Sequence, residues 1–374
     1  MCYHCVKVVF YAMINLSNEG YFFMKKENYY TLRNEKLTDK TDELLTNLPP
    51  FCAQFLYGIS NNSSALTRLN YAYDLRIFFE YLSQTKGVLV GDMTIGVLND
   101  VTALDIERFL NYLGSYKTAR GNRESCDDHA KARKLASIRA MYKYFFQKDM
   151  IVANVAEKVA TPKIREKTIV RLENDEVDKL LEFVSDDDAY SGRKKVFHNK
   201  LKVRDTAILT LFIGTGIRIS ELVGLNVESF DFDHNSFVVT RKGGKQEILY
   251  YNDEVKDALY DWLDYRYDLP IPEEETALFL SLKGQRISVR AVEVLVKNYA
   301  KEVTPLKKIT PHKLRSTFGT NLYRETGDIY AVADFLGHKD VNTTRKHYAA
   351  IGEDSRKNAA KLVKIRKDTE SDET

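Results

Sequence analysis

The amino-acid sequence predicts a mainly α chain with one small β-sheet, an α+β fold in which a helical first half precedes a mixed second half. Three observations carry this expectation. Apolar residues recur at helical spacing before residue 160. A single pair of β-rich runs flanks a glycine turn in the second half. Helical spacing then returns after Pro272. With 374 residues the chain has room for about two domains. At 44% apolar and 29% charged residues it has the profile of an ordinary globular protein.

The elements follow in order. Residues 1–45 are left as a leader, within which Met24-Lys25-Lys26-Glu27 reads as a more usual translation start than Met1. Val8 to Leu16 is too short for a membrane span and has no small-residue cleavage site, so neither a membrane partner nor a signal peptide is expected. Tyr71, Leu75, Phe78, Phe79 and Leu82 lie on one stripe of an amphipathic helix. Asp105 to Leu113 makes a second, shorter helix. Leu135, Ile138, Tyr142 and Phe145 make a third, with Lys134 and Arg139 on its other face and Lys143 beside the stripe. Thr161 to Lys167 is polar and contains Pro162, which disfavours helix before it, so the domain boundary is placed there. Val203 to Gly214 is apolar and helical in pattern. Phe237–Thr240 and Glu247–Tyr250 are β-rich around Arg241-Lys242-Gly243-Gly244-Lys245, a hairpin signal. Val289, Val292, Leu295, Val296 and Tyr299 mark a later helix.

Net charge is only +3, too small to name a partner. The distribution is more telling: Tyr116 to Lys167 holds thirteen basic and six acidic residues, a stripe suited either to a phosphate backbone or to a solvated helix face. The four cysteines are sparse, which favours a reducing, cytoplasmic setting over a disulfide framework. Cys2-Tyr-His-Cys5 is half a zinc motif with no second half, so no metal site is assigned.

Four segments concentrate reactive side chains. In Gly214 to Leu222, the two glycines break the preceding helix, and Arg218 sits between Ile217 and Ile219. A half-buried arginine needs an anion, and either Glu221 three residues on or a phosphate could supply it. The hairpin tip carries Lys242 and Lys245, where glycines permit positive φ. Thr310-Pro311-His312-Lys313-Leu314-Arg315 marks a helix start with Thr310 as N-cap. It places His312 and Arg315 on one face of the first turn, as ordinary capping or as an anion site. Asp328 caps a further helix that Gly337 ends. His338 follows, and Asn342 or Thr343 starts the segment carrying Tyr348. Each feature alone has a plain structural reading. Together, two arginines, two histidines, a lysine and a tyrosine are what metal-free phosphoryl transfer requires. No cluster of carboxylates has the spacing of a two-metal nuclease.

These segments resemble the tyrosine recombinase (phage integrase) family, most closely its Xer-like members. Gly216-Ile217-Arg218-Ile219-Ser220-Glu221-Leu222 looks like the first catalytic arginine motif. Lys242 falls where the family lysine sits, His312-Lys313-Leu314-Arg315 matches H-x-x-R, Leu336-Gly337-His338 matches L-G-H, and Tyr348 matches the nucleophile. The resemblance covers roughly Ser64 to Lys361. It implies a helical, SAM-like core-binding domain over 46–160, a linker over 161–168 and a catalytic domain with its C-terminal tail over 169–374, closing as a C-shaped clamp around DNA. Tyr348 would attack the scissile phosphate and form a 3′-phosphotyrosine link, Arg218 and Arg315 would stabilise the transition state with His338, Lys242 would protonate the 5′ oxygen, and His312 would partner the tyrosine. No cofactor is expected. Lys131, Lys134, Arg139, Lys143, Arg241 and Lys245 are the positions assigned to DNA contact. The implied partner is double-stranded DNA with a specific recombination site, bound by a homotetramer with a dimer on each site, and an accessory protein or second recombinase is left open. A topoisomerase or a noncatalytic DNA-binding protein on the same fold are the alternatives. Ser185 to Lys200 reads as an insertion of unassigned role.

Overall fold

The computed structural model describes residues 29–118, 121–164, 170–241, 243–272, 274–337 and 341. They form two compact units, one within residues 22–167 and one within residues 168–374.

The first unit is helical: α1 (Tyr29–Leu45), α2 (Phe51–Gly58), α3 (Ala65–Lys86), α4 (Ala103–Tyr112) and α5 (Asp128–Phe146), with a two-stranded ribbon of β1 (Tyr116–Lys117) and β2 (Arg123–Glu124) between the last two. α3 starts where Ser64 accepts a hydrogen bond from the Thr67 amide and stops at Gly87 in the left-handed region. The apolar stripes do what their spacing predicts. Leu75, Phe78, Phe79 and Leu82 of α3, Ile106 and Phe109 of α4, and Leu135, Ile138, Tyr142 and Phe145 of α5 are all fully buried in one core. Within it, Phe51 meets Phe79 and Phe145 edge-on at 5.6 and 5.7 Å. α1 packs on α3 with Thr41 buried, so part of the stretch expected to be a leader carries a helix.

One expectation fails here. Lys134 does not lie on a solvent face of α5. It is buried, and its ammonium donates to Asp74 of α3 at 3.0 Å. Arg133 and Ser137 donate to the same carboxylate at 2.7 and 2.9 Å. A carboxylate sealed inside a helical core requires such partners, and α5 turns three of its side chains to supply them.

The second unit is built around α7 (Gly192–Thr215), against which α6 (Asn174–Ser185), α9 (Asp253–Tyr267) and α11 (Pro311–Thr326) pack; α10 (Val289–Val303) packs on α6. Ala207, Ile208, Leu209, Leu211 and Phe212 are all buried, so this end of α7 has no solvent face. Gly214 does not break the helix. It lies inside it, where a Cβ would stand 2.4 Å from Cγ2 of Val255 in α9. The short helix α8 (Ile219–Gly224) leads to an antiparallel sheet in the order β3 (Phe230–Asp231), β4 (Ser236–Thr240), β5 (Gln246–Tyr250). Phe237 pairs with Leu249, and the sheet turns Phe237, Val239 and Leu249 inward while Val238, Ile248 and Tyr250 face out. The two-residue strand β3 is too short to leave a periodic signal. α12 (Ile329–Phe335) begins where Asp328 accepts from the Tyr330 and Ala331 amides. Thr310 stands at the N-cap of α11 as read, with Pro311 at the first helical position, but its hydroxyl makes no capping bond.

The segment read as an insertion is fastened to this unit. Its second half forms the first turns of α7, where His198 is buried and donates from Nε2 to the Asp186 carbonyl at 2.8 Å. His198 Nδ1 faces the Tyr299 hydroxyl at 3.1 Å, and that hydroxyl donates to Asp205 at 3.1 Å. Burial pushes the Asp205 carboxyl above its usual range, against the pull of neighbouring Arg204.

Candidate active site

Three turns of the second unit meet around three guanidinium groups. The first turn ends α7. Gly216 adopts φ +61°, and a Cβ there would stand 2.4 Å from Cδ1 of Phe318 and 3.0 Å from Cδ2 of Leu336, so backbone and packing both require glycine. Its carbonyl accepts a hydrogen bond from Nη1 of Arg315. Two residues on, Arg218 stands at the N-cap of α8. The buried Glu221 carboxylate accepts from the Arg218 amide at 3.0 Å and from its Nη1 at 2.9 Å.

The second turn follows α12. Arg218 Nη2 donates to the carbonyls of Leu336 and Gly337 at 2.9 and 3.0 Å, and Arg315 Nη2 donates to the same Leu336 carbonyl. Carbonyls at the end of a helix have no partner within it and carry the negative end of its dipole, which explains why two cations settle there. Arg315 is 5% exposed, whereas the Arg218 side chain keeps 36% of its surface open.

The third turn joins β4 to β5. The Arg241 amide donates to the Lys245 carbonyl at 2.7 Å and the Gly244 amide to the Arg241 carbonyl at 3.1 Å, with Gly243 and Gly244 at φ +89° and +82°. The Arg241 side chain turns inward. Its Nη1 donates to both oxygens of Glu221, at 3.0 and 2.9 Å, and its Nε and Nη2 donate to Glu247 at 3.1 and 3.0 Å. Burial opposes the Arg241 charge, but Glu247 and Glu221 outweigh it and hold its pKa above the ordinary value. The same contact holds the Glu247 carboxyl below its usual range.

Arg218 and Arg241 thus share the Glu221 carboxylate, and Arg241 also holds Glu247. Further guanidinium donors turn to the neutral carbonyls of Gly216, Leu336 and Gly337. Guanidinium forks turned to carbonyl oxygens in a largely buried place have the geometry that suits the oxygens of an anion.

Of the sequence-predicted catalytic residues, the structure brings Arg218 and Arg315 together at one carbonyl oxygen. His312 is exposed on the first turn of α11, one helical turn before Arg315. Lys242, His338 and Tyr348 lie outside the described residues. Lys242 is flanked in sequence by Arg241 and Gly243, and His338 directly follows Gly337.

The residues expected on DNA divide. Lys143 and Lys245 are exposed and Lys131 is half-buried. Lys134 is bound to Asp74 and Arg241 to its two glutamates. Arg139 donates to the Ala156 carbonyl at 3.3 Å, to the Thr161 hydroxyl at 2.8 Å and to the Val159 carbonyl, tying α5 to the chain that follows it. An open cleft of about 480 Å³ between α7 and α9 presents Asp261, Asp264 and Asp268, which would repel a phosphate.

Residues 170–354 match the Phage integrase family, a span that holds all six candidate catalytic positions. The chain is 32% identical over 339 residues to a tyrosine recombinase XerC of Caldanaerobacter subterraneus subsp. tengcongensis, covering 88% of this chain and 90% of the relative. The chain belongs to the phage integrase family of tyrosine recombinases. A tyrosine recombinase XerS of Streptococcus agalactiae is 30% identical over 356 residues, covering 88% of this chain and 99% of that relative. Among solved structures, the fold is shared with a XerH site-specific recombinase bound to palindromic difH substrate (TM-score 0.60, 20% identity, covering 80% of this chain and 81% of that chain). It is also shared with the Tn1549 transposon integrase in complex with circular intermediate DNA (TM-score 0.59, 21% identity, covering 83% and 98%).

Sequence reasoning set Arg241 on DNA and overlooked Glu247 in this family member. A signal was present. Strand alternation sends Phe237 and Val239 inward, and the same parity carried past the end of β4 sends residue 241 inward too. The role of the Leu336 carbonyl had no signal, since a backbone atom leaves no mark in residue type.

Proposed function

We propose that this chain is a site-specific DNA recombinase that cuts and rejoins strands through a 3′-phosphotyrosine intermediate on Tyr348. The observation that supports this most is the meeting of Arg218 and Arg315 at the Leu336 carbonyl, two residues before His338 in sequence. A scissile phosphate entering there exchanges carbonyl partners for anionic oxygens, and two guanidinium forks match its non-bridging oxygens as charge grows on them. Tyr348 attacks phosphorus, Lys242 protonates the leaving 5′ oxygen, and His312 and His338 assist. The phosphodiester is exchanged for a phosphotyrosine ester of similar energy, so a partner strand's 5′ hydroxyl reverses the step without ATP or metal.

With this reading go double-stranded DNA as substrate, a dimer on each site, a homotetramer across two sites and a cytoplasmic setting, as expected for a Xer-like recombinase. Lys131, Lys143 and Lys245 keep their assignment to the DNA backbone, supported by the exposure of Lys143 and Lys245. Lys134, Arg139 and Arg241 serve the fold instead.

The test is a nicked DNA carrying the recombination site, incubated with protein in EDTA. A covalent protein–DNA band on a denaturing gel is expected from the native chain and none from Tyr348→Phe. A band that persists in the variant overturns the assignment.

A further inference from the structure

We infer that Arg241, the residue before Lys242 in sequence, is a positioning residue for the cleavage step: it ties the start of the β4–β5 turn to the Glu221–Arg218 pair. The inference rests on the recombinase reading above and adds a residue to it. Four observations carry it. Arg241 is 8% exposed, and four hydrogen bonds fix its guanidinium to two carboxylates, one on each side of it. One of these, Glu221, is the carboxylate that holds Arg218 through its amide and its Nη1. The other, Glu247, lies on β5 beyond the turn, so the side chain braces both strands. At the same time the Arg241 backbone closes the turn, donating to Lys245 and accepting from Gly244.

A fifth contact reaches the third element of the site. Gly337 sits at φ +55°, and a Cβ there would lie 3.0 Å from the centre of the Arg241 guanidinium. The positive φ favours glycine before His338, and a larger residue there would also press on the Arg241 guanidinium. One side chain thus touches the elements that precede or carry an arginine, a lysine and a histidine of the site. A hairpin tip held only by two glycines samples many conformations, and a general acid on it would be poorly placed. Removing Arg241 leaves the tip's sequence intact and removes its brace.

The experiment compares two suicide substrates, one with the ordinary 5′-bridging oxygen and one with sulfur at that bridging atom. A thiolate leaves without being protonated, so the sulfur substrate does not need the lysine. Lys242→Ala should cleave the oxygen substrate slowly and recover on sulfur. Arg241→Ala should lose about 100-fold on oxygen, the scale of a small misplacement of a reacting group, and also recover on sulfur, with DNA affinity unchanged. Arg241→Lys keeps the charge without the fork and should stay slow on oxygen. Glu247→Gln, which loosens only the β5 side of the brace, should show a smaller loss with the same recovery.

Equal losses on both substrates for Arg241→Ala and Glu247→Gln would mean that Arg241 acts through Arg218 or through stability alone, and would overturn the inference while leaving the recombinase reading intact. Recovery absent in Lys242→Ala would overturn it together with the lysine's role. No adduct from the native chain on either substrate would overturn the recombinase reading itself.

Discussion

Both units bury basic side chains against acids, and they do so to opposite ends. In the helical unit a single carboxylate, Asp74, is fully enclosed and gathers Lys134, Arg133 and Ser137. The surplus charge there sits on Arg133, whose side chain is half exposed, where water screens it. In the second unit Arg218 and Arg241 share Glu221, and guanidinium donors of Arg218 and Arg315 turn to backbone carbonyls. The first arrangement satisfies an acid that is already in place. The second points guanidinium donors at neutral oxygens that a phosphate oxygen can replace. The contrast shows that the partners of a buried basic group, a carboxylate in the first unit and backbone carbonyls beside one in the second, say more about its role than its burial does.

Substitutions can break this comparison at either end. The largest effect is expected at Arg315. Arg315→Ala removes a transition-state donor, and single-turnover cleavage should slow by about 3–4 kcal/mol of barrier, as for lost oxyanion donors. Binding to intact DNA should change little. A cleavage rate that is unchanged would remove Arg315 from the phosphate clamp.

At the other end, Asp74→Ala leaves the buried Lys134 ammonium unpaired. Breaking a buried pair costs about 3–5 kcal/mol, so thermal unfolding of the full chain should begin well below that of the native protein. The cleavage rate per folded molecule should hold at a temperature where both are folded. If cleavage instead falls with stability unchanged, the Asp74 cluster is functional and the contrast between the units fails.

Gly216→Ala should sharpen the picture. A residue other than glycine in the left-handed region costs about 1–2 kcal/mol, and the added methyl must also displace Phe318. Because the Gly216 carbonyl holds Arg315, slower cleavage should accompany the loss of stability. The smallest effects belong to the surface. Lys143→Ala and Lys245→Ala should each weaken DNA binding modestly and lower the steepness of its salt dependence by about one unit. Lys134→Ala should not change that slope.

Much of the fold was legible because helical stripes report burial directly. Leu75, Phe78, Phe79 and Leu82 were read from spacing alone and are fully enclosed. The convergence of Arg218 and Arg315 followed from motif chemistry, and the helix starts at Pro311 and Asp328 from capping rules. What was missed shares one cause. Lys134 and Arg241 are long cations whose stems cross the apolar boundary, so their residue type suggests solvent while their charge is spent inside, and half-buried Arg139 is drawn onto the carbonyls of the following chain. Gly214 misled for a related reason: a glycine suggests a chain break, yet here it makes room for Val255. Side-chain partners from distant segments decide such cases, and spacing along one helix cannot reveal them.

In the proposed mechanism Tyr348 delivers its oxygen to the phosphate held by Arg218 and Arg315. The most direct measurement is to trap the covalent complex on nicked DNA, digest it with protease and identify the nucleotide-bearing peptide by mass spectrometry. The account predicts a 3′-phosphate joined to the peptide that contains Tyr348. A DNA-linked peptide bearing a different residue would contradict it.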